Sequence, residues 1–491
     1  MFYPNKKQFI ELCKKGNVIP VVFEILADFD TPLSAFLKID EGDVSYLLES
    51  VEGGERLGRY SILGSDPLMM IQSTGNDITI TKNGKTETRK INIDPIEELK
   101  NIMKPFKFVE IDAMPRFTGG LIGYLGYDLV RFFEDIPCAN EDNIKLPDMQ
   151  FVLADTMIVF DHVDKKIKII SNAFIEGSPN DAYEASIKKI EKLASKLKRP
   201  LEVPVPNNCY KGEQKIRSNF TEKEFCDVVE KAKEHIKAGD IIQMVPSQRL
   251  SAETDADPFT IYRALRSINP SPYMFYLRFG DIKIIGSSPE ILVRCENNKV
   301  EVRPIAGTRK RGKTEKEDNE LSLDLINDPK ERAEHIMLVD LGRNDIGRVC
   351  KFKSVVTPEV MRIEKYSHVL HLVSDVEGTL REDKDIYDVI RATFPAGTVT
   401  GAPKVKAMEL IEKFEKAKRG IYAGSVGYIS FAGNIDLCIT IRTILMKDKT
   451  AYVQAGAGIV LDSVPKNEYV ETLNKAKGML KAIEYAEKGL L

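Results

Sequence analysis

Arg303-Pro304-Ile305-Ala306-Gly307-Thr308-Arg309 is answered further along the chain by Ala333-Glu334-His335-Ile336-Met337-Leu338-Val339-Asp340-Leu341-Gly342-Arg343-Asn344-Asp345. The first stretch leaves a strand, because alternation puts Val300, Val302 and Pro304 on one face and Glu301 and Arg303 on the other. It reaches Gly307, where backbone can approach a ligand closely and the amides of Gly307 and Thr308 can donate to an anion. The second stretch reads as a helix with Asp328 as its cap and Pro329 at its first position. Apolar residues cover most of its circumference from Ile336 to Leu341, which predicts burial. Glu334 lies one turn before Leu338, and a carboxylate on a buried helix needs a partner or a cation. Spacing alone favours an ordinary salt-bridged helix there.

Outward from this pair, strands dominate. Val18 to Leu26 and Val44 to Val51 read as strands, and Leu68 to Ile80 and Thr86 to Ile93 flank an Asn83-Gly84 turn. Asp94-Pro95 opens a helix. Phe151 to Ile170 reads as a hairpin turning near Asp164-Lys165-Lys166, and Ala182 to Leu197 as an amphipathic helix. The glycines from Gly119 to Gly126 indicate close backbone packing. Residues 199–218, with Pro200, Pro204 and Pro206, read as a linker between an N-terminal part, 1–198, and a C-terminal part, 219–491. Thr221 and Glu224 form a capping box for the next helix. Strands follow at 241–250, 273–279, 282–286, 290–296, 299–304, 350–356, 366–378, 422–431, 436–446 and 451–460. Helices fall at 258–268, 384–393, 403–416 and from Pro465. The basic run Arg309 to Lys313, followed at once by Glu315, Glu317 and Asp318, reads as a solvated loop. Strands joined by tight turns predict an α+β fold of packed antiparallel sheets flanked by helices.

The 491 residues are enough for two or more cores. Basic residues number 71 and acidic residues 74, for a net charge of -3, so nothing draws the chain to nucleic acid or membrane in general. Seven cysteines, scattered and without a CxxC pair, suggest reduced thiols. The best N-terminal apolar run, Ile19 to Ala27, is broken by Glu24, and no stretch approaches the length of a spanning helix. A soluble, cytoplasmic protein is expected. Familiar cofactor templates fail: Leu461 stands where a dinucleotide fingerprint after Gly456-Ala457-Gly458 needs glycine, and Gly397 to Lys404 lacks the P-loop ending. None of the cysteines sits in the glycine-flanked turn of a glutaminase nucleophile.

Together with Gly397-Thr398-Val399-Thr400-Gly401-Ala402-Pro403-Lys404 and Gln454-Ala455-Gly456-Ala457-Gly458-Ile459-Val460, the two opening motifs resemble the chorismate-utilising enzyme family, most of all its anthranilate-forming members. The resemblance is dense from Thr221 to Glu487. It implies magnesium held by Glu334 and Glu471, although periodicity would put Glu471 on a solvent face. It implies that Arg442 and Tyr422 bind the enolpyruvyl carboxylate, where a strand-borne arginine could equally be structural. Gly456, Ala457 and Gly458 through their amides, with Thr398, would hold the ring end, and Gly307 and Thr308 would touch the substrate. Glu290 would be the general acid for the departing ring hydroxyl. His368 and His371 are expected on opposite faces of one strand, and the family motif selects His371.

Two positions separate the branches of this family. Water-using relatives carry a lysine where this chain has Gln243, and aminodeoxychorismate synthases commonly carry a nucleophilic lysine where it has Ala306. Both substitutions point to ammonia as the nucleophile and anthranilate with pyruvate as products. The resemblance also implies a glutamine amidotransferase subunit as the source of ammonia, in a heterotetramer. Leu47-Leu48-Glu49-Ser50, before Gly53-Gly54, and Asn269-Pro270-Ser271-Pro272-Tyr273-Met274-Phe275 resemble a tryptophan feedback site built by Ser50, Pro272, Tyr273 and Met274. Aminodeoxychorismate synthesis and a silent amino-acid-binding regulator are the alternatives.

Overall fold

Antiparallel ladders run through both halves of the sequence and build two large sheets. The structure is a computed structural model that describes residues 2–50, 58–112, 114–203, 209–210, 212, 214–366 and 369–490. In the first sheet Val44–Glu49 pairs with Tyr273–Phe279, so strands from before and after residues 199–218 share one ladder. The second sheet does the same where Gly120–Leu125 pairs with Ser425–Ser430. Between the sheets lies an apolar layer with Val22, Ile62 and Val159 from one side and Ile122, Val152 and Val426 from the other. Helices Pro32–Ile39, Pro179–Leu197, Pro258–Ile268 and Pro465–Glu487 cover the outer face of the first sheet through Phe36, Ile190, Phe259 and Met479. Pro95–Met103, Pro329–Gly347 and Ile386–Thr393 cover that of the second through Ile96, Val339 and Ile390. Helix, two sheets and helix make four layers, the α+β architecture expected.

Local chemistry explains many of these elements. Asn83 and Gly84 both take positive φ, 52° and 73°, the geometry of a two-residue hairpin turn. A Cβ on Gly123 would lie 2.0 Å from the Gln150 carbonyl, so the glycine-dense strand is a close-packed sheet interior. The Thr221–Glu224 capping box and the Asp94 and Asp328 caps form as expected.

Other expectations need correction. Leu68 to Ile80 is two strands, Met69–Thr74 and Asp77–Lys82, because Gly75 turns the chain at φ 54°. In the 151–170 stretch, Met149–Ala154 lies in the second sheet while Thr156–Asp161 and Lys166–Phe174 form a hairpin in the first. The strand expected at 350–356 is instead Val356–Lys365, paired along Val369–Thr379. The 241–250 strand breaks at Val245-Pro246 into Gln243–Met244 and Ser247–Glu253, since proline cannot donate to the ladder. The basic run is only partly a loop: Arg309 and Lys310 end strand Ile305–Lys310, and residues 311–314 link it to helix Glu315–Asn327, capped by Thr314. Its charges are consumed locally, Arg311 by Asp318 and Arg309 by Asp324, Asp328 and Glu331. Helix Pro329–Gly347 buries one face through His335, Leu338, Val339, Gly342 and Ile346, but Ile336 is 48% exposed.

Candidate active site

Gln243–Met244 pairs with Gly401–Ala402, and this short ladder draws distant motifs to the end of the sandwich. A cleft of about 770 Å³ opens there, lined from the bulge at Gly307, the Pro329–Gly347 helix, the Gly397–Val399 turn and the final helix. It gathers Gln243, Glu290, Gly307, Thr308, Glu334, His371, Thr398, Tyr422, Arg442, Gly456, Gly458 and Glu471. Ala457 is the exception. Its side chain is buried in the core, and its amide already donates to Pro246 O at 3.2 Å, so it is not free to bind an anion.

Glu290 lies in the short link between strands Ile282–Ser288 and Ile291–Glu296 and is 8% exposed. Burial pushes its carboxyl up to about 8, countered by the Thr398 hydroxyl and the Lys475 ammonium. The Thr398 Oγ1 nonetheless makes no hydrogen bond of good geometry. A neutral carboxylic acid at pH 7 has a proton to give.

His371 stands on Val369–Thr379, with Nδ1 2.8 Å from the Gly307 carbonyl. A carbonyl only accepts, so Nδ1 carries the proton and Nε2 keeps its lone pair. Burial lowers the imidazole pKa, and the Gly307 bond opposes that. Gly307 sits at φ 64°, at a bulge in its ladder, and a Cβ there would meet Leu325 and Glu331 at 2.9 and 3.0 Å. His368 lies outside the described residues.

Arg442 is not on a strand. It interrupts Ile435–Ile439 and Thr443–Lys447 with a left-handed φ of 51°, a conformation an arginine rarely takes. Burial works against its charge, while Tyr422 and Glu471 favour it. Among the described residues its guanidinium forms no salt bridge, so the structural reading of this arginine fails. Tyr422 is set by Arg419, whose guanidinium lies 5.5 Å from its ring centroid. Arg419 also bonds Glu415, Val399 O and Val245 O, joining three walls of the cleft.

Besides Glu290, four carboxylates line this cleft: Glu331 and Glu334 on one helix, Glu468 and Glu471 on the final helix. Burial raises Glu331 and Glu468, and their neighbours Glu334 and Glu471 add to it by repulsion. Glu334 Oε1 accepts from Gln243 Nε2 at 2.9 Å, and Glu471 pairs with Lys475 at 2.7 Å. Among the described residues no three His, Cys, Asp or Glu side chains close into a metal cage. An all-oxygen set of few carboxylates still fits a hard cation that keeps water and substrate oxygens as ligands. Sequence reasoning missed Glu331, Glu468 and Lys475. The signal was present, since i, i+3 and i+4 spacing puts each beside a chosen glutamate.

A second cavity, about 90 Å³, lies between the sheets, with Ser50, Pro272, Tyr273 and Met274 among its lining. Tyr60, Phe117 and Tyr428 add aromatic rings, and Glu49, Arg116 and Asp436 add charge. Strand alternation sends the Met274 side chain into the helix-covered core, where it is 1% exposed. Tyr273 bonds Asp436 at 2.9 Å. Gly53-Gly54 lies outside the described residues. Among those described, no helix is long and apolar enough to cross a membrane.

Comparison with known proteins identifies the family. Residues 45–481 match the family described as chorismate binding enzyme. Anthranilate synthase component 1 of Acetivibrio thermocellus is 50% identical over 491 residues, covering 99% of both chains. That of Aquifex aeolicus is also 50% identical, over 97% of each. The crystal structure of anthranilate synthase component I from Streptococcus pneumoniae superposes with a TM-score of 0.77 at 39% identity, covering 93% of this chain and 99% of that one. End-to-end likeness on that scale, around a cleft of this composition, leaves one assignment: the chain belongs to the chorismate-binding enzymes and, within them, to the anthranilate synthase component 1 group.

Proposed function

We propose that the chain converts chorismate and ammonia to anthranilate, pyruvate and water. Gln243 carries this reading. Its Nε2 is committed to Glu334, while its Oε1 is buried without a hydrogen-bond partner. A carboxamide cannot take a proton from water, but an open acceptor beside the acidic cleft can orient the N–H groups of ammonia, which is already a nucleophile. Ala306, lining the same cleft, offers no amine for covalent attachment.

The unpaired Arg442 and the Tyr422 hydroxyl suit the enolpyruvyl carboxylate. The nitrogen lone pair attacks the ring carbon next to the one bearing the carboxylate. The ring hydroxyl across the diene leaves as water, with the proton of Glu290. His371, through Nε2, then assists elimination by removing the proton from the aminated carbon. The ring aromatises as the bond to the enolpyruvyl oxygen breaks, and that fragment becomes pyruvate. Magnesium on Glu334 and Glu471 would neutralise the ring carboxylate and the charge developing near it.

A separate amidotransferase subunit would supply ammonia, in a heterotetramer. Cys295, Cys350 and Cys438 are sealed in the core, where burial raises their thiols. The cavity at Ser50 and Tyr273 would take tryptophan, its rings receiving the indole and its charged rim the amino-acid end. Replacing Gln243 with leucine tests the nucleophile assignment. We expect the KM for ammonium to rise about tenfold or more while chorismate binding changes less, the mark of a lost ammonia contact. An unchanged ammonium KM would remove Gln243 from that role.

A further inference from the structure

Next to the cleft, sharing Glu290, Leu338 and Thr398 with it, is a smaller cavity that the reaction scheme does not use. It measures about 40 Å³ and is lined by Glu290, Thr398, Arg303, Asp345 and Thr393, with Gly342 at its wall. One water needs roughly 10–15 Å³ of such space, so it has room for about two or three. Most of its lining is apolar, Leu338 and Leu341 included, and a few polar groups would hold them. Thr398 Oγ1 is buried without a partner, and Glu290 brings a carboxyl that must be neutral to act. At the far end Asp345, half-buried, pairs with Lys404 at 2.7 Å, and Lys404 also reaches Thr393 O at 3.4 Å. Both residues close motifs that stand out in the sequence, yet neither lines the substrate cleft.

We propose that this smaller cavity holds water that carries protons from the Asp345–Lys404 pair to Glu290, recharging the acid. The inference rests on Glu290 being the acid of the proposed reaction. Each amination leaves Glu290 as a carboxylate, its proton having departed in the water formed from the ring hydroxyl. Glu290 takes one proton from the neighbouring water, the chain of waters takes one from Asp345, and Asp345 takes one from solvent. Nothing is oxidised, and the sequence ends where it began. The route through the cleft is occupied while the aminated intermediate waits for pyruvate to leave.

Charges around the path fit transfer in this direction. From the final helix Lys475 favours the Glu290 carboxylate. Arg303, on the cavity wall, is neutralised by Asp375 and Glu364, so it sets no standing barrier to a proton. Burial raises Asp345 above the usual aspartate range, with Lys404 and Arg348 opposing, so it takes up a proton more readily than an exposed aspartate.

The test is Asp345→Asn, which keeps size and removes the titrating group, compared in single-turnover and steady-state assays. Glu290 enters the first turnover already protonated. Its amination rate should stay within about twofold of the unmodified enzyme, while steady-state kcat falls about tenfold, and Asp345→Glu should restore it. Gly342→Ala provides a second route to the same answer, because its methyl enters the cavity with Val302 Cγ2 at 3.0 Å, and should show the same split. If first-turnover and steady-state rates fall together, the pair is a structural clamp and the relay is wrong. If neither rate falls, protons reach Glu290 through the cleft and the relay is equally wrong. Glu290→Gln separates the two readings: full activity in it refutes the acid assignment, whereas an inactive Glu290→Gln beside a normal Asp345→Asn refutes only the relay.

Discussion

At the scale of single residues, two buried groups set the pH window. Glu290 must be protonated to act, and burial holds its pKa near 8, so the active form is lost as pH rises through about 8. His371 must be neutral, and its pKa lies below the usual 6.5, so that form persists to more acidic pH than for an exposed histidine. A kcat profile flat through neutrality is expected, with its upper limb near 8. Glu290→Gln should abolish that limb and cost roughly 10²–10⁴-fold in rate. Activity already falling above pH 5 in the unmodified enzyme would mean an ordinary carboxylate at this position. Some of this was legible in advance. Glu290 was legible only through the resemblance of its motif to the family, and Gln243 through standing where water-using relatives carry a lysine. Glu471 could not be found by periodicity, because a cleft-facing glutamate and a solvent-facing one occupy the same side of an amphipathic helix. The Ala457 amide was misjudged, since only the folded ladder reveals that Pro246 has already taken it.

At the scale of elements, the cleft is held by a buried ion pair that no motif announces. Arg419 and Glu415 are 3% and 6% exposed and bonded at 2.6 Å. Glu415 also accepts from the Ser247 amide and hydroxyl, both at 2.8 Å. Arg419→Met strands the Glu415 carboxylate and two backbone carbonyls, those of Val245 and Val399, which should cost about 3–5 kcal/mol of stability. Denaturant unfolding with unchanged m-value would measure it, and a loss under about 1 kcal/mol would show that Glu415 finds other partners. Sequence patterns located most elements because caps and alternation are local signals. They failed at breaks imposed by tertiary contact, as at Arg442, where alternation continues through a residue the fold twists out of the strand. They failed again at Val356–Lys365, an edge strand whose two register shifts against its partner disrupt the period.

At the scale of the whole molecule, the second cavity draws on strands from both halves of the chain, Val44–Glu49 and Tyr273–Phe279. A tryptophan held there inhibits only by binding one arrangement of the sandwich more tightly than another. Linkage then requires chorismate to weaken tryptophan binding by the same factor by which tryptophan weakens chorismate binding. Calorimetry with each ligand present in turn measures both factors, and unequal values would exclude a simple two-site coupling. The central claim is the chemistry of the cleft. Its most direct test is product analysis of the purified chain with chorismate, magnesium and an ammonium salt, repeated with glutamine in place of ammonium. The account predicts anthranilate and pyruvate in equal amounts with ammonium and no turnover with glutamine. Isochorismate as product, an aminated product without pyruvate, or robust turnover on glutamine alone would contradict it.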